Sequence, residues 1–159
     1  FLCDMDKVKE YLYNFRGANR RYQILYDKSI KIIDDYAHHP TEITATINAA
    51  KKIETGKITV VFQPHRDSRT NFFLNEFAES LKLADEVYLL PIYSAEEENI
   101  YNISSEKLAE LIGGNTRVYS EEEISDRVLN DNSNENVYLF MGAGSISRIA
   151  NTIKNKLPL

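Results

Sequence analysis

The chain has 159 residues, a formal net charge of −5, 43% apolar residues and 27% charged residues. That length suits one domain with a single large core, and the negative charge argues against a nucleic-acid-binding surface. The single cysteine, Cys3, excludes a disulfide framework, and no apolar run reaches the roughly 20 residues that span a bilayer. Because the chain starts at Phe1 and no signal peptide follows, we expect a cytoplasmic protein and a chain cut from a longer one.

The first part of the chain predicts a helix and a hairpin. Apolar residues recur at helical spacing between residues 5 and 15, and Gly17 is a candidate stop. Strands are predicted at residues 22–26 and 30–34, with a turn at residues 27–29. This hairpin should contribute one antiparallel strand to the fold.

From Pro40 onward, predicted helices alternate with predicted strands. The predicted strands are residues 58–62, 86–93, 116–119 and 137–141, and the predicted helices begin near Pro40, Phe73, Ser104 or Ser105, Ser120 and Ile146. Alternation of this kind indicates an α/β fold. We therefore predict a Rossmann-like three-layer sandwich, with a mostly parallel sheet and one antiparallel strand from the hairpin.

Two clusters of titratable residues follow predicted strands. The first runs from Asp34 to Glu42 and contains His38 and His39, and the second, residues 63–70, contains the third histidine of the chain. In open α/β sheets, ligands bind beyond the carboxyl ends of the strands. Parallel topology should bring both clusters to one edge of the sheet, where they could line a single pocket.

The side chains in these clusters suit anion binding. Arg66 and Arg69 flank His65 and offer planar donor forks for carboxylate or phosphate groups. Asp34 and Asp35 suit ribose hydroxyls, magnesium or a cationic partner. A structural alternative is that these residues cap helices and form surface ion pairs.

A glycine-containing turn is predicted at a third strand end. Gly142-Ala143-Gly144 lies between a predicted strand and a predicted helix, but Ser147 stands where a dinucleotide fingerprint has its third glycine. A tight turn with N–H groups that attract anions is the simpler interpretation. The sequence contains no phosphate-loop motif.

Five stretches resemble the carboxyl-terminal domain of the Mur ligases, and in particular of the alanine-adding members of that family. The resemblance extends in order over nearly the whole chain, and Ala37 stands where many members have glycine. The similar stretches are Asn19-Arg20-Arg21-Tyr22, Asp34-Asp35-Tyr36-Ala37-His38-His39-Pro40-Thr41-Glu42, Phe62-Gln63-Pro64-His65-Arg66-Asp67-Ser68-Arg69-Thr70, Ala84-Asp85-Glu86-Val87 and Met141-Gly142-Ala143-Gly144.

The resemblance implies an ATP-dependent ligase that joins L-alanine to UDP-N-acetylmuramate through an acyl phosphate in peptidoglycan synthesis. It divides the chain into a linker helix (residues 1–18) and a Mur ligase carboxyl-terminal domain (residues 19–159). The amino-terminal and central domains would lie outside this chain, and Mg²⁺ would be held mainly by the central domain. This fragment alone is therefore expected to be inactive, and no residue in it is predicted to be catalytic.

The resemblance also implies roles for individual residues. Its ATP-binding residues would be Arg21, Asp35, Tyr36 and His38, with the arginine toward phosphate and the aspartate toward ribose. Its substrate-binding residues would be His65, Arg66 and Arg69.

Three alternatives to the alanine ligase stay open from the sequence. The first is the Mur ligase that recycles a tripeptide, although Pro64-His65-Arg66 favours the alanine enzyme. The second is a free-standing metal-dependent hydrolase using Asp35, His38 and His65, because imidazole and carboxylate suit zinc or manganese. The third is a nucleotide-binding module without catalytic activity.

Overall fold

The computed structural model describes residues 4–14, 18–114, 116–133 and 135–158. Strands and helices alternate along most of this length, as the sequence predicts. The strands are β1 (Gln23–Asp27), β2 (Lys31–Asp35), β3 (Ile58–Phe62), β4 (Glu86–Leu89), β5 (Arg117–Val118) and β6 (Val137–Met141). The helices are α1 (Met5–Asn14), α2 (Pro40–Ile53), α3 (Asp67–Phe72), α4 (Leu74–Leu81), α5 (Ser105–Ile112), α6 (Glu121–Leu129) and α7 (Ile146–Lys156).

The strands form one six-stranded sheet in the order β1-β2-β6-β3-β4-β5. β1 pairs antiparallel with β2, and every other pair in the sheet is parallel. This arrangement confirms the predicted fold class, including the single antiparallel strand from the hairpin. β6 lies between β2 and β3, so the two strands that precede the charged clusters are separated by a third.

Two apolar clusters, one on each face of the sheet, make up the core. On β6, Leu139 and Met141 belong to the cluster that α2, α4 and α5 cover, whereas Tyr138 and Phe140 belong to the cluster under α6 and α7. Successive side chains of a strand point to opposite faces, so a strand that is apolar throughout must be covered on both sides. The result is the predicted three-layer sandwich.

The helix starts have the local signals that the sequence predicts. Ser120 and Glu123 form a capping box at α6. The Ser104 side chain caps α5, and Gly113, with φ 77°, follows its last residue. Such caps satisfy backbone groups that have no partner within the helix.

The structure differs from the predicted elements at two places. The predicted strand 86–93 ends at Leu89, and only Tyr93 resumes a parallel bridge, to His65. Residues 63–70 contain the start of a helix that was not predicted, α3, at Asp67. The helix predicted to begin near Phe73 begins at Leu74, as α4.

Some predictions are not tested by the structure. Cys3, Phe15 and Gly17 lie outside the described residues, and the division into a linker helix and a domain stays a prediction. In the described part of the chain, no helix is long and apolar enough to cross a membrane.

Glycine at position 96 should stabilise the loop between β4 and α5. Glu96 is exposed and has φ 66°, a conformation that costs an L-residue roughly 1 kcal/mol and glycine almost nothing. We expect Glu96→Gly to raise the free energy of unfolding by about 1 kcal/mol in urea titrations. Glu98→Gly is the matched control, because Glu98 is also exposed but lies outside the positive-φ region, and it should lower stability. Equal effects of the two substitutions would contradict the argument.

Candidate functional site at the carboxyl edge of the sheet

The carboxyl ends of β2, β6 and β3 lie side by side. Asp35, Met141 and Phe62 are aligned across the three strands. The Gly142 N–H donates to the carbonyl of Asp35, and the Gln63 N–H donates to the carbonyl of Met141. The segment after β6 is therefore hydrogen-bonded to both neighbours, and the segments that contain the two charged clusters leave the sheet on either side of it.

Arg20 is anchored at this edge by buried partners. Its guanidinium lies 3.5 Å from the Asp34 carboxylate, which is 1% exposed and also accepts a hydrogen bond from the Ser147 hydroxyl. A second guanidinium nitrogen donates to the carbonyl of Gly142. Arg20 therefore joins β2 to the loop after β6, and Asp34 joins β2 to the first turn of α7; the sequence did not predict either contact.

Asp35 is held by backbone donors. Its carboxylate is buried and accepts hydrogen bonds from the Tyr22 N–H at 2.7 Å and the Ala37 N–H at 2.8 Å. Thr46 approaches the same carboxylate at 3.5 Å. Asp35 thus fixes the backbone directly after each of the predicted ATP-binding residues Arg21 and Tyr36.

Tyr36 is the exposed centre of the first cluster. The guanidinium carbon of Arg20 lies 4.8 Å from the centre of its ring and that of Arg21 lies 5.9 Å from it. The His38 ring meets the tyrosine edge-on at 5.0 Å. Three of the four predicted ATP-binding residues, Arg21, Tyr36 and His38, therefore lie together. The guanidinium groups of both arginines lie against the electron-rich tyrosine ring.

Glu42 fixes the histidine turn before α2. Its carboxylate accepts from the His38 N–H at 3.1 Å and the His39 N–H at 3.3 Å, and it lies 3.8 Å from Arg21. Burial alone would raise the pKa of Glu42, but the hydrogen bonds and the nearby positive charges leave the pKa below its ordinary value. His39 is the helix cap, and its ring packs on Phe73 at 4.7 Å, which makes it a structural residue.

His65 opens the second cluster. Its ring stacks on Tyr93 with centroids 5.4 Å apart, and its Nδ1 atom is buried without a hydrogen-bond partner. Burial lowers the pKa of His65, and the charges of Arg69, Arg66 and His38 lower it further. The imidazole is therefore neutral at pH 7, and the positive charge of this cluster comes from its two arginines.

The two arginines of the second cluster have different surroundings. Arg66 has φ 73°, precedes α3, and forms an ion pair with Glu97 at 3.1 Å. Arg69 lies within α3, is half-buried, and forms none of the ion pairs found among the described residues. Because α3 begins at Asp67, Arg69 lies in the first turn of a helix and not in a loop.

The glycine turn after β6 is closely packed. Gly142 has φ 147°, and a Cβ atom there would lie 2.8 Å from the carbonyl oxygen of Gln63. A Cβ atom on Gly144 would lie 2.6 Å from the Gln63 side chain and 3.0 Å from the Tyr93 ring. These glycines thus let the end of β3 and the Tyr93 ring approach the turn, which is a packing role.

The structure places all seven predicted site residues along one edge of the sheet. The two clusters lie on either side of β6, one strand apart. Arg20, Glu42 and Glu97 were missed as contributors; the first two lie within stretches that the sequence analysis quoted, whereas nothing in the sequence singles out Glu97. No group of three or more His, Cys, Asp or Glu side chains in the described ranges is placed to hold a metal ion.

Residues 20–144 match the family model described as Mur ligase, glutamate ligase domain. Because this match covers most of the chain, the chain belongs to the Mur ligase family.

Within that family, the chain is similar to UDP-N-acetylmuramate–L-alanine ligases. It is 43% identical to the enzyme of Fusobacterium nucleatum, over 99% of the chain and 36% of that ligase. The solved structure of the Thermotoga maritima ligase has a TM-score of 0.76 at 30% identity and matches 97% of this chain and 33% of its own. The chain thus spans about a third of the length of these relatives.

A second solved structure shows this fold as a separate unit. It is a domain from a putative UDP-N-acetylmuramate:L-alanyl-γ-D-glutamyl-meso-diaminopimelate ligase of Haemophilus ducreyi, with a TM-score of 0.63 and 23% identity. The match covers 87% of this chain and all of that domain.

Proposed function

We propose that this chain is the carboxyl-terminal domain of an ATP-dependent ligase that joins L-alanine to UDP-N-acetylmuramate in peptidoglycan synthesis. The observation that carries the proposal is that two clusters of titratable residues, the first contacted by Arg21 and the second containing Arg66 and Arg69, lie on either side of β6 in a chain 43% identical to such a ligase. Its partners would be the amino-terminal and central domains of the same ligase. The enzyme would act in the cytoplasm, where nucleotide-linked precursors are made.

The reaction has two steps. The γ-phosphoryl group of ATP passes to the carboxylate of UDP-N-acetylmuramate, which gives an acyl phosphate and ADP. The amine of L-alanine, having lost a proton, then attacks the acyl carbon, so that a C–N bond forms and phosphate leaves. The side chains that this chain supplies would position reactants and offset negative charge.

The first cluster, together with Arg21, would bind ATP. Arg21 is exposed beside Tyr36 and would contact phosphate, while Tyr36 and His38 would lie against the nucleotide. Asp35 remains a proposed ribose contact, although its carboxylate already accepts two backbone hydrogen bonds. Mg²⁺ would neutralise phosphate charge when bound, and in this proposal the central domain holds it.

The second cluster, residues 63–70, would bind the amino acid and the carboxylate that accepts the phosphoryl group. Arg66 and Arg69 offer guanidinium forks that match carboxylate geometry. The neutral His65 ring adds hydrogen-bonding capacity without adding charge.

Two alternatives have less support. Solved structures named as the tripeptide ligase and as a murein peptide ligase are each 23% identical to this chain, against 30% for the alanine ligase structure. A metal-dependent hydrolase would need Asp35, His38 and His65 together, and no such cluster occurs among the described residues.

Arg21→Ala in the complete ligase should weaken ATP use. Loss of one charge-assisted hydrogen bond costs about 1.5–3 kcal/mol, which is roughly a tenfold to more than hundredfold loss of kcat/KM for ATP. The assay is L-alanine-dependent ADP release. Arg117→Ala is the matched control, because Arg117 is exposed at the start of β5, away from the carboxyl edge, and kinetics should stay unchanged.

Two results would count against these assignments. A parent ligase that releases ADP with a tripeptide but not with L-alanine would contradict the proposed function. Unchanged ATP kinetics in Arg21→Ala would contradict the proposed phosphate contact.

A further inference from the structure

Glu97, in the loop between β4 and α5, contacts one of the proposed substrate-binding arginines. One carboxylate oxygen lies 3.1 Å from a terminal nitrogen of Arg66. The Arg66 side chain is 50% exposed and that of Glu97 is 23% exposed. A pair this open to solvent contributes little to stability.

The Glu97 carboxylate is itself fixed by the start of α3. It accepts from the Ser68 N–H at 3.0 Å and from the Ser68 hydroxyl at 2.9 Å. The residue at the cap position, Arg66, makes no side-chain hydrogen bond to this helix. Glu97 therefore supplies, from 29 residues away, an acceptor for a first-turn N–H group that would otherwise lack one.

The backbone of the same loop is held in register with the end of β3. The Tyr93 N–H donates to the carbonyl of Pro64, and the Arg66 N–H donates to the carbonyl of Tyr93, each at 2.8 Å. The Glu97 N–H donates to the carbonyl of Ser94 and closes a turn. This turn places the Glu97 carboxylate next to the start of α3. The position of Glu97 is thus set by β3 and α3 independently of its contact with Arg66.

A fixed carboxylate on one side of an exposed guanidinium restricts the conformations of that guanidinium. The contact involves one terminal nitrogen of Arg66, so the remaining donors stay available to a ligand. The Ser68 N–H lowers the pKa of Glu97, as do the Ser68 hydroxyl and Arg66, and the carboxylate is therefore ionised at neutral pH. An arginine oriented before binding loses less conformational entropy when the ligand arrives.

We propose that Glu97 is a positioning residue that orients Arg66 toward the carboxylate of the incoming amino acid. This inference rests on the proposed function. Glu97 does not touch the substrate in this proposal, and its effect on binding passes through Arg66.

The test is a double-mutant cycle in the complete ligase with Glu97→Gln and Arg66→Ala. Glutamine keeps an oxygen for Ser68 but loses the charge that orients the guanidinium. We expect Glu97→Gln to raise KM for L-alanine about fivefold to tenfold, which is the effect of losing roughly 1 kcal/mol, with kcat within twofold. In the Arg66→Ala background, Glu97→Gln should change KM by less than about twofold, because the group it acts through is gone.

Two controls separate positioning from folding. Glu98→Gln removes the neighbouring exposed carboxylate and should leave KM unchanged. Ser68→Ala removes the hydroxyl that helps to fix Glu97 but keeps the Ser68 N–H, so it should raise KM less than Glu97→Gln does. Melting temperatures of all variants should lie within a few degrees of the parent.

The inference is overturned if Glu97→Gln leaves KM for L-alanine unchanged. It is also overturned if Glu97→Gln has the same effect with and without Arg66, which would show that Glu97 acts through the fold. A parent ligase without L-alanine-dependent ADP release would instead overturn the proposed function, so the two failures are distinguishable.

Discussion

Asp35→Ala should lower the free energy of unfolding of this chain by about 3 kcal/mol. The carboxylate is 5% exposed and accepts the N–H groups of Tyr22 and Ala37, so alanine would leave two backbone donors without their acceptor. Each buried donor left in that state costs about 1–3 kcal/mol. Equilibrium unfolding in urea, followed by far-UV circular dichroism, measures the change.

The control for this prediction is Asp126→Ala. Asp126 is exposed on α6, and its removal should change stability by less than about 0.5 kcal/mol. If both variants unfold at the parent midpoint, the hydrogen bonds of Asp35 contribute nothing to stability. A loss of ATP use in Asp35→Ala is informative about ribose binding only in comparison with this stability change.

Arg69→Lys should lower kcat/KM for L-alanine roughly tenfold to hundredfold in the complete ligase. A carboxylate bound by a planar guanidinium receives two parallel hydrogen bonds, and an ammonium group offers only a point charge. Stability should hardly change, because lysine and arginine have similar helix propensities and Arg69 forms none of the ion pairs found among the described residues. Steady-state kinetics and a melting curve test both parts.

Lys28→Arg is a control for the Arg69 exchange. Lys28 is exposed in the turn between β1 and β2, and exchanging the two cations there should affect neither activity nor the melting temperature. A large drop in the melting temperature of Arg69→Lys with alanine kinetics intact would show that Arg69 is a structural residue.

The location of the site was predictable because it depends on local patterns. One apolar strand precedes Asp34 and another precedes Gln63, and each is followed by polar residues and then by a helical period. In a parallel sheet, the carboxyl ends of these two strands must lie at the same edge. The order of the strands was not predictable in the same way. β6 lies between β2 and β3 because of how the helices cover the two apolar faces of the sheet. No local sequence pattern predicts this strand order.

Arg20 and Arg21 show that local sequence patterns do not predict contacts between distant parts of the chain. Arg21 was predicted from its resemblance to a motif, whereas in the structure its neighbour Arg20 is the anchored residue, with φ 56° and contacts to Asp34 and Gly142. Such contacts join residues more than 100 positions apart, as between Arg20 and Gly142. Glu97 is a similar case, since three adjacent acidic residues give no indication of which one pairs with Arg66.

The position of β6 also affects the order in which the sheet can assemble on the ribosome. β6, the strand that joins β2 to β3, is complete only when the chain has been synthesised through Met141. Until then, β2 and β3 each have one edge without a partner strand. Unpaired apolar edges are sites of intermolecular pairing, and contacts between distant parts of a chain form slowly. The nascent domain is therefore most exposed to aggregation just before its central strand leaves the exit tunnel.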